Sequence, residues 1–296
     1  MDTAKESIRH LSLCSGCEGI GTGLRRIFPA LHELAHVECE AYAISNLVAK
    51  MESNEIPPVP IWPDVKTFPF RKFRGCVDIL SGGFPCPPFS VSNSRSRKST
   101  EDPRHLFPFI FNGIKECRPP VVFLENVEGI ITCETGDGEP VLKYVLTELE
   151  SVGFQAEAGI FSAREVGAPH QRKRVFILAH SQHDGQFTPA FRRSIEETSK
   201  GVEERPDETS NFTGASEPKS SGDLQGGEQW VARPDETQHK WEAPRTISKS
   251  KLGRRVAGDE EGVDATANRV ERIRLVGNGV CPAQVERAYR VLSSRL

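Results

Sequence analysis

Between residues 7 and 180, short apolar runs alternate with stretches whose apolar residues recur every three or four positions. That alternation leaves few folds open. A strand buried on both faces reads as an unbroken apolar run, whereas a helix lying on a sheet shows a stripe. The runs Ile8–Leu13, Leu34–Glu38, Val77–Leu80, Val121–Leu124 and Val175–Leu178 read as strands. Gly19–Phe28, Ala41–Met51 and Leu106–Cys117 read as helices, and Val141, Leu142, Val145, Leu146 and Leu149 mark one face of another. Strands alternating with helices predict an α/β fold: a doubly wound, mostly parallel sheet covered on both faces. Near the end of the chain, Pro282 suits a first helical position. Val285, Ala288, Val291 and Leu292 then give that helix an apolar face to dock on the same domain.

Three regions follow: 1–180 as the main domain, 181–267 as a polar insert, and 268–296 as a segment returning to the main domain. Within 181–229 the only large apolar side chains are Phe187, Phe191, Ile195, Val202, Phe212 and Leu224. So few cannot offset the entropy of ordering the segment, which is expected to be partly disordered. Residues 181–265 hold 12 Lys and Arg against 17 Asp and Glu, so the insert is acidic and the remainder slightly basic in a chain of formal net charge −3. The pentapeptide Arg205–Thr209 recurs as Arg233–Thr237, and two copies are too few for a solenoid. No run approaches the roughly 20 apolar residues that span a bilayer. Met1–Ser7 lacks the apolar stretch of a secretion signal. Both features point to a soluble, intracellular protein, whose eight cysteines are expected as free thiols. Cys14-x-x-Cys17 has no second pair to complete a four-sulfur site, so no metal is expected there.

The chemistry-bearing residues follow strand ends. In Gly83-Phe84-Pro85-Cys86-Pro87-Pro88-Phe89-Ser90 a thiol lies between prolines, directly after a strand. Proline fixes φ and lacks an N–H, so Cys86 is held on a stiff turn. That setting suits a nucleophile, reactive as its thiolate, better than an inert core cysteine. The first strand runs into the small residues from Cys14 to Gly23, which let a ligand approach the backbone and the N–H groups of the next helix. Glu38, closing the second strand, can accept hydrogen bonds from ribose hydroxyls, and Asp64 near a third strand end can meet an adenine amine. Glu125 and Asn126 end a very apolar strand. Burial raises a carboxyl pKa, so Glu125 reads as an acid near neutral pH. A helix N-cap or a buried ion pair is the other reading, and it stays open for Asn126. His170-Gln171-Arg172-Lys173-Arg174 leads into the last strand. Alternate residues there share a face, so Arg172 and Arg174 can together hold a phosphate or orient a carboxylate.

In this order, Ser12-Leu13-Cys14-Ser15-Gly16, the Pro85-Cys86 block, Glu125-Asn126-Val127, Arg172-x-Arg174 and Arg274-Leu275-Val276-Gly277-Asn278-Gly279-Val280 resemble the motifs of the cytosine-5 DNA methyltransferase family. The resemblance spans residues 8–180 and 268–292. It implies a Rossmann-like, S-adenosylmethionine-dependent fold and methyl transfer to carbon 5 of cytosine in DNA. It implies Cys86 as the nucleophile at carbon 6 of a flipped-out base, Glu125 at the ring's N3, Arg174 at the base and Arg172 in support. The cofactor would lie against Cys14, Ser15, Gly16, Gly19, Glu38, Cys39, Asp64, Val65, Gly83, Leu106, Asn278 and Val280. Residues 90–100 look like the family's mobile loop, with Ser90, Arg95, Arg97 and Lys98 suited to DNA phosphates.

Three positions depart from the family pattern. Glu18 stands where many members carry glycine, Cys39 where an aromatic often stacks on adenine, and His170 where glutamine is usual. The polar insert occupies the place of a variable domain that reads bases, so weak or short-site recognition, or dependence on an accessory specificity partner, is expected. A matching endonuclease is the other partner the resemblance admits. The same chemistry on RNA and a catalytically weak cofactor- or DNA-binding homologue are the alternative readings. The small single-module plan is that of bacterial or phage modification enzymes, which implies a prokaryotic cytoplasm.

Overall fold

The structure is a computed structural model and describes residues 7–85, 106–135, 138–168, 170–182, 191, 195, 275 and 277–296. Its strands are β1 (Ile8–Leu13), β2 (Leu31–Val37), β3 (Ile61–Trp62), β4 (Ile79–Gly83), β5 (Val121–Val127), β6 (Phe154–Phe161) and β7 (Arg174–Ser181). Its helices are α1 (Gly19–Ile27), α2 (Ala41–Glu52), α3 (Phe107–Cys117), α4 (Val141–Ser151) and α5 (Pro282–Ser293). No described helix is long and apolar enough to cross a membrane.

The strands form one sheet in the order β3-β2-β1-β4-β5-β7-β6. From β3 to β5 every pairing is parallel, as the alternating pattern predicts. Beyond β5 the sheet departs from that expectation, because β7 lies antiparallel to β5, and β6 antiparallel to β7. The sequence pattern gave no sign of β6. Only Phe154 and Phe161 at its ends are buried and Gly159 interrupts it, so no apolar run marks this edge strand.

Alternation along the central strands sorts the core into two layers. Val121 and Phe123 of β5, with Phe176 and Leu178 of β7, face one layer with Leu24 of α1 and Val285, Ala288, Tyr289 and Leu292 of α5. Val122, Leu124, Val175 and Ile177 face the other, where Ile110 and Ile114 of α3 and Val145 and Leu149 of α4 pack. Phe191 joins the first layer with its ring centroid 5.9 Å from that of Phe28, so the core draws on a residue from beyond position 180. Within 181–267 only Ser181, Gln182, Phe191 and Ile195 are described; the expectation of partial disorder falls outside these residues.

The helix α5 docks through Tyr289, which is fully buried and sits edge-on to Phe28 at 5.3 Å and to Phe123 at 5.4 Å. A Cβ on Gly23 of α1 would overlap the Val285 side chain and approach the Pro282 carbonyl to 2.7 Å, so glycine lets the two helices touch. The Tyr289 hydroxyl is buried without a partner, an unfavourable use of a polar group. Tyr289→Ala is therefore expected to destabilise by about 3–5 kcal/mol. Tyr289→Phe should be neutral or stabilising by up to about 1 kcal/mol. Urea unfolding of the two variants measures both.

Candidate active site

Parallel pairing of β1, β4 and β5 brings three chain segments to one edge of the sheet: Cys14–Glu18 after β1, Gly83–Pro85 after β4, and Glu125–Val127 at the end of β5. The chain turns outward from β1 towards β2 on one side and from β4 towards β5 on the other. A crevice outside the carboxyl ends of the strands is expected at such a reversal.

The loop after β1 is tightly wound. Cys14, Gly16 and Glu18 have φ values of 48°, 54° and 63°, a region costly for any residue but glycine. The Ser15 amide donates to the Val37 carbonyl (3.3 Å) and the Glu18 amide to the Ser15 carbonyl (2.8 Å). The Gly16 amide donates to Glu38 Oε2 and the Glu40 amide to Glu38 Oε1, each at 2.8 Å. Glu38 is thus fixed between this loop and the start of α2, with a lone pair left on each oxygen. Burial pushes the Cys14 thiol far above its ordinary range, which leaves it inert. Desolvation, then Glu38, also raises the thiol of Cys39, an exposed residue. The Glu38 amide donates to the Trp62 carbonyl at 2.9 Å, which aligns the end of β3 with that of β2. Just beyond, Asp64 is half-buried and accepts the Lys66 amide at 2.9 Å, while Val65 lies in the core.

The C-terminal segment closes this loop from above. A Cβ on Gly19 would lie 2.5 Å from the Val280 carbonyl, so glycine admits the backbone of residues 279–280 to the start of α1. Asn278, one step earlier, is exposed. Arg172, held at φ 36°, donates from Nη2 to the Gly277 carbonyl at 2.8 Å and also to that of Gly279. Gln284 then fastens α5, its amide donating to the carbonyls of Phe161 (2.6 Å) and Arg172 (2.9 Å).

At the centre stands Glu125, only 7% exposed, with Oε1 2.9 Å from Arg174 Nε. A Cβ on Gly83 would come within 2.9 Å of Glu125 Oε2, so the glycine leaves the carboxyl its space. Burial drives the Glu125 pKa up and Arg174 and Arg172 pull it down; burial wins, and the pKa stands at about 7. Arg172 is depressed in turn, by burial and by Arg174 beside it. Asn126 is neither helix cap nor part of an ion pair. It points to the opposite face of the sheet, donating to the Phe84 carbonyl at 3.0 Å and accepting from the Val127 amide at 2.9 Å, so it pins the segment two residues ahead of Cys86.

The structure thus unites Glu125, Arg174, Arg172 and Gly83, and separately the loop Cys14–Gly19 with Glu38 and Val280. Leu106 is half-buried at the start of α3, packed on the same core layer as Cys14. Cys86, Ser90, Arg95, Arg97 and Lys98 fall outside the described residues. All seven described cysteines are free thiols, in line with expectation. Sequence reasoning missed Gln284, whose one signal is a polar residue on the apolar face of α5, and the anchoring role of Asn126.

A folded-state pKa above the unfolded one stabilises the native state fully below pH 4.5 and progressively less as pH rises to 7. Glutamine cannot ionise. The stability of Glu125→Gln relative to wild type should therefore increase by about 3 kcal/mol between pH 4.5 and 8, measured by urea unfolding across that range.

Comparison with known proteins now bears on this geometry. The Type II methyltransferase M.NgoMIV of Neisseria gonorrhoeae is 29% identical over 169 residues, covering 57% of this chain and 50% of the relative. M.AgeI of Thalassovita gelatinovora is 31% identical over 186 residues, covering 60% of this chain and 40% of the relative. The chain therefore spans half or less of the length of these two relatives. The solved Dnmt2 methyltransferase of S. pombe aligns with 67% of this chain and 57% of its own, at 19% identity and a TM-score of 0.47. A family profile described as C-5 cytosine-specific DNA methylase matches residues 8–294, nearly the whole chain. The chain belongs to the C-5 cytosine-specific DNA methylase family.

Proposed function

We propose that the chain transfers a methyl group from S-adenosylmethionine to carbon 5 of cytosine in DNA, with Cys86 as nucleophile and Glu125 as the acid at the ring. The observation carrying this reading is Glu125 itself. It is a buried carboxyl with a pKa of about 7, clamped by Arg174, on the strand next to the one that leads into Cys86.

The donor set near the β1 loop fits the cofactor. Glu38 is held by two backbone amides with lone pairs to spare for a ribose diol. Asp64 and Val65 at the neighbouring strand end suit the adenine. Cys14, Ser15, Gly16 and Gly19, with Val280 above them, offer a close backbone approach. When bound, the cofactor supplies an electrophilic methyl group on a sulfonium.

Carbon 5 of cytosine is a poor nucleophile, so the protein's task is to enrich it. The Cys86 thiolate adds to carbon 6, and the ring's electrons move towards carbon 5 and N3. Glu125, able to hold a proton near neutral pH, hydrogen-bonds N3 and stabilises that charge. Arg174 fixes the carboxyl, and Arg172 holds the 277–279 segment against the site. After methylation a water molecule takes the proton from carbon 5, the C–H electron pair restores the ring double bond, and the carbon–sulfur pair returns to sulfur, which regenerates the thiolate. Inside the duplex the ring is stacked, so the base must rotate out. Ser90, Arg95, Arg97 and Lys98 are suited to hold the phosphates. The insert 181–267 is left to read sequence. The designation of the relatives as Type II methyltransferases supports DNA modification paired with an endonuclease of the same specificity.

Incubation with the methyl donor and duplex DNA carrying 5-fluorocytosine should give a denaturant-resistant adduct through Cys86, absent in Cys86→Ala. Glu125→Gln should slow methyl transfer by roughly 10²–10⁴-fold. Methyl transfer by folded Cys86→Ala would sink the proposed chemistry, and adducts with RNA alone would sink the proposed substrate.

A further inference from the structure

Beneath α1, away from the Glu125 centre, lies a second group of buried ionisable residues: His10 of β1, Glu33 and His36 of β2, and Glu18 at the start of α1, all 1% exposed or less. A register shift between β1 and β2 after His10 lets Glu33 and His36, three residues apart, both turn towards this layer. Gly21 makes room, since a Cβ there would overlap Glu18 Oε1 and lie 3.4 Å from Glu33 Oε1.

The bonding of these side chains is half complete in a regular way. His10 Nε2 meets Ser81 Oγ at 2.7 Å, which leaves Nδ1 without a partner. Glu18 Oε2 accepts the Ser12 hydroxyl at 3.1 Å, leaving Oε1 free. Glu33 Oε1 takes the Arg25 guanidinium, leaving Oε2 free. One ligand atom from each of His10, Glu18 and Glu33 lies within 4.8 Å of the other two. His36 Nδ1 lies 3.3 Å from Glu18 Oε2, and its Nε2 is without a partner. Burial disfavours charge on Glu18 and Glu33, but the histidines and Arg25 outweigh it and hold both carboxyls below their usual range. Charges in such surroundings are paired or bind metal.

We propose that His10, Glu18 and Glu33 form a binding site for a first-row divalent cation of the zinc class, with His36 at hand as a fourth donor. Mixed imidazole and carboxylate donors suit such ions rather than calcium or magnesium. Ligands about 2.1 Å from a tetrahedral ion stand about 3.4 Å apart, so side-chain shifts of roughly 1 Å close the group. Ser81, Ser12 and Arg25 already orient the three ligands from outside, as supporting residues do in metal centres. The ion ties β1, β2 and the start of α1 together directly beneath the Cys14–Glu18 loop.

Cobalt(II) is the probe. Full-length protein stripped with a chelator should take up about one equivalent and show visible d–d absorption, with no thiolate-to-cobalt band in the near ultraviolet. Zinc should displace the cobalt and, in excess over its Kd, raise Tm by roughly 5 °C or more. His10→Gln and Glu33→Gln should each weaken cobalt binding at least roughly tenfold, while Cys17→Ser leaves it unchanged. Folded wild-type protein with neither d–d absorption nor a Tm shift overturns the site. A charge-transfer band lost in Cys17→Ser assigns the ion to the thiols and overturns the proposal equally.

Discussion

Because β7 runs antiparallel to β5, its first residue lies beside the last residues of β5: Val127 pairs with Arg174, and Glu125 with Phe176. In a parallel neighbour, Arg174 would sit at the far end of the sheet, roughly 20 Å from the carboxyl it clamps. The reversal also brings the residues before β7 to the same edge as the loop after β1. Arg172 can then reach the 277–279 carbonyls, and Gln284 can bind the backbone of both Phe161 and Arg172. The local geometry at Glu125 and the closure of the C-terminal segment over α1 are two results of one strand direction.

The chain buries carboxyls in two places with opposite outcomes. Glu125 faces two arginines that also repel each other, and Arg172 turns its guanidinium to backbone carbonyls rather than to the carboxylate. Desolvation prevails and the proton stays bound to near neutrality. Glu18 and Glu33 are buried at least as deeply, yet each has a histidine beside it and they share Arg25, so the charged form prevails. The number and direction of the opposing charges decide the result, not burial alone. Of these three, only Glu125 is left able to give and take a proton near pH 7.

Most of the sheet was legible because strands buried on both faces carry uninterrupted apolar runs; β5 and β7 are examples. The strand β6 was not, because an edge strand needs no such run. Its absence from the reading hid the antiparallel end of the sheet. Glu125 was legible from its place after four apolar residues, and its raised pKa followed from burial. The pairing of Arg172 with Arg174 was legible only in part. Alternation holds along a regular strand, but Arg172 precedes the strand in a left-handed conformation and turns elsewhere. Gly19 and Gly23 read as parts of a ligand-binding turn, and that their missing side chains also admit Val280 and Val285 was not legible. Contacts between residues far apart in sequence, such as Gln284 with Phe161, leave no periodic trace.

The helix α5 packs on α1 and on the sheet through Tyr289, while β7 is fixed between its two neighbours. The two anchorage points of the intervening stretch are therefore fixed on one domain, and Phe191 and Ile195 at the start of that stretch pack on the same core layer. Doubling the length of a tether between fixed points costs only about 0.6 kcal/mol. If the part of that stretch beyond Ile195 reads DNA, as the proposed function has it, the scaffold is in this sense a permissive chassis: that part can change in size while the reaction centre stays as it is.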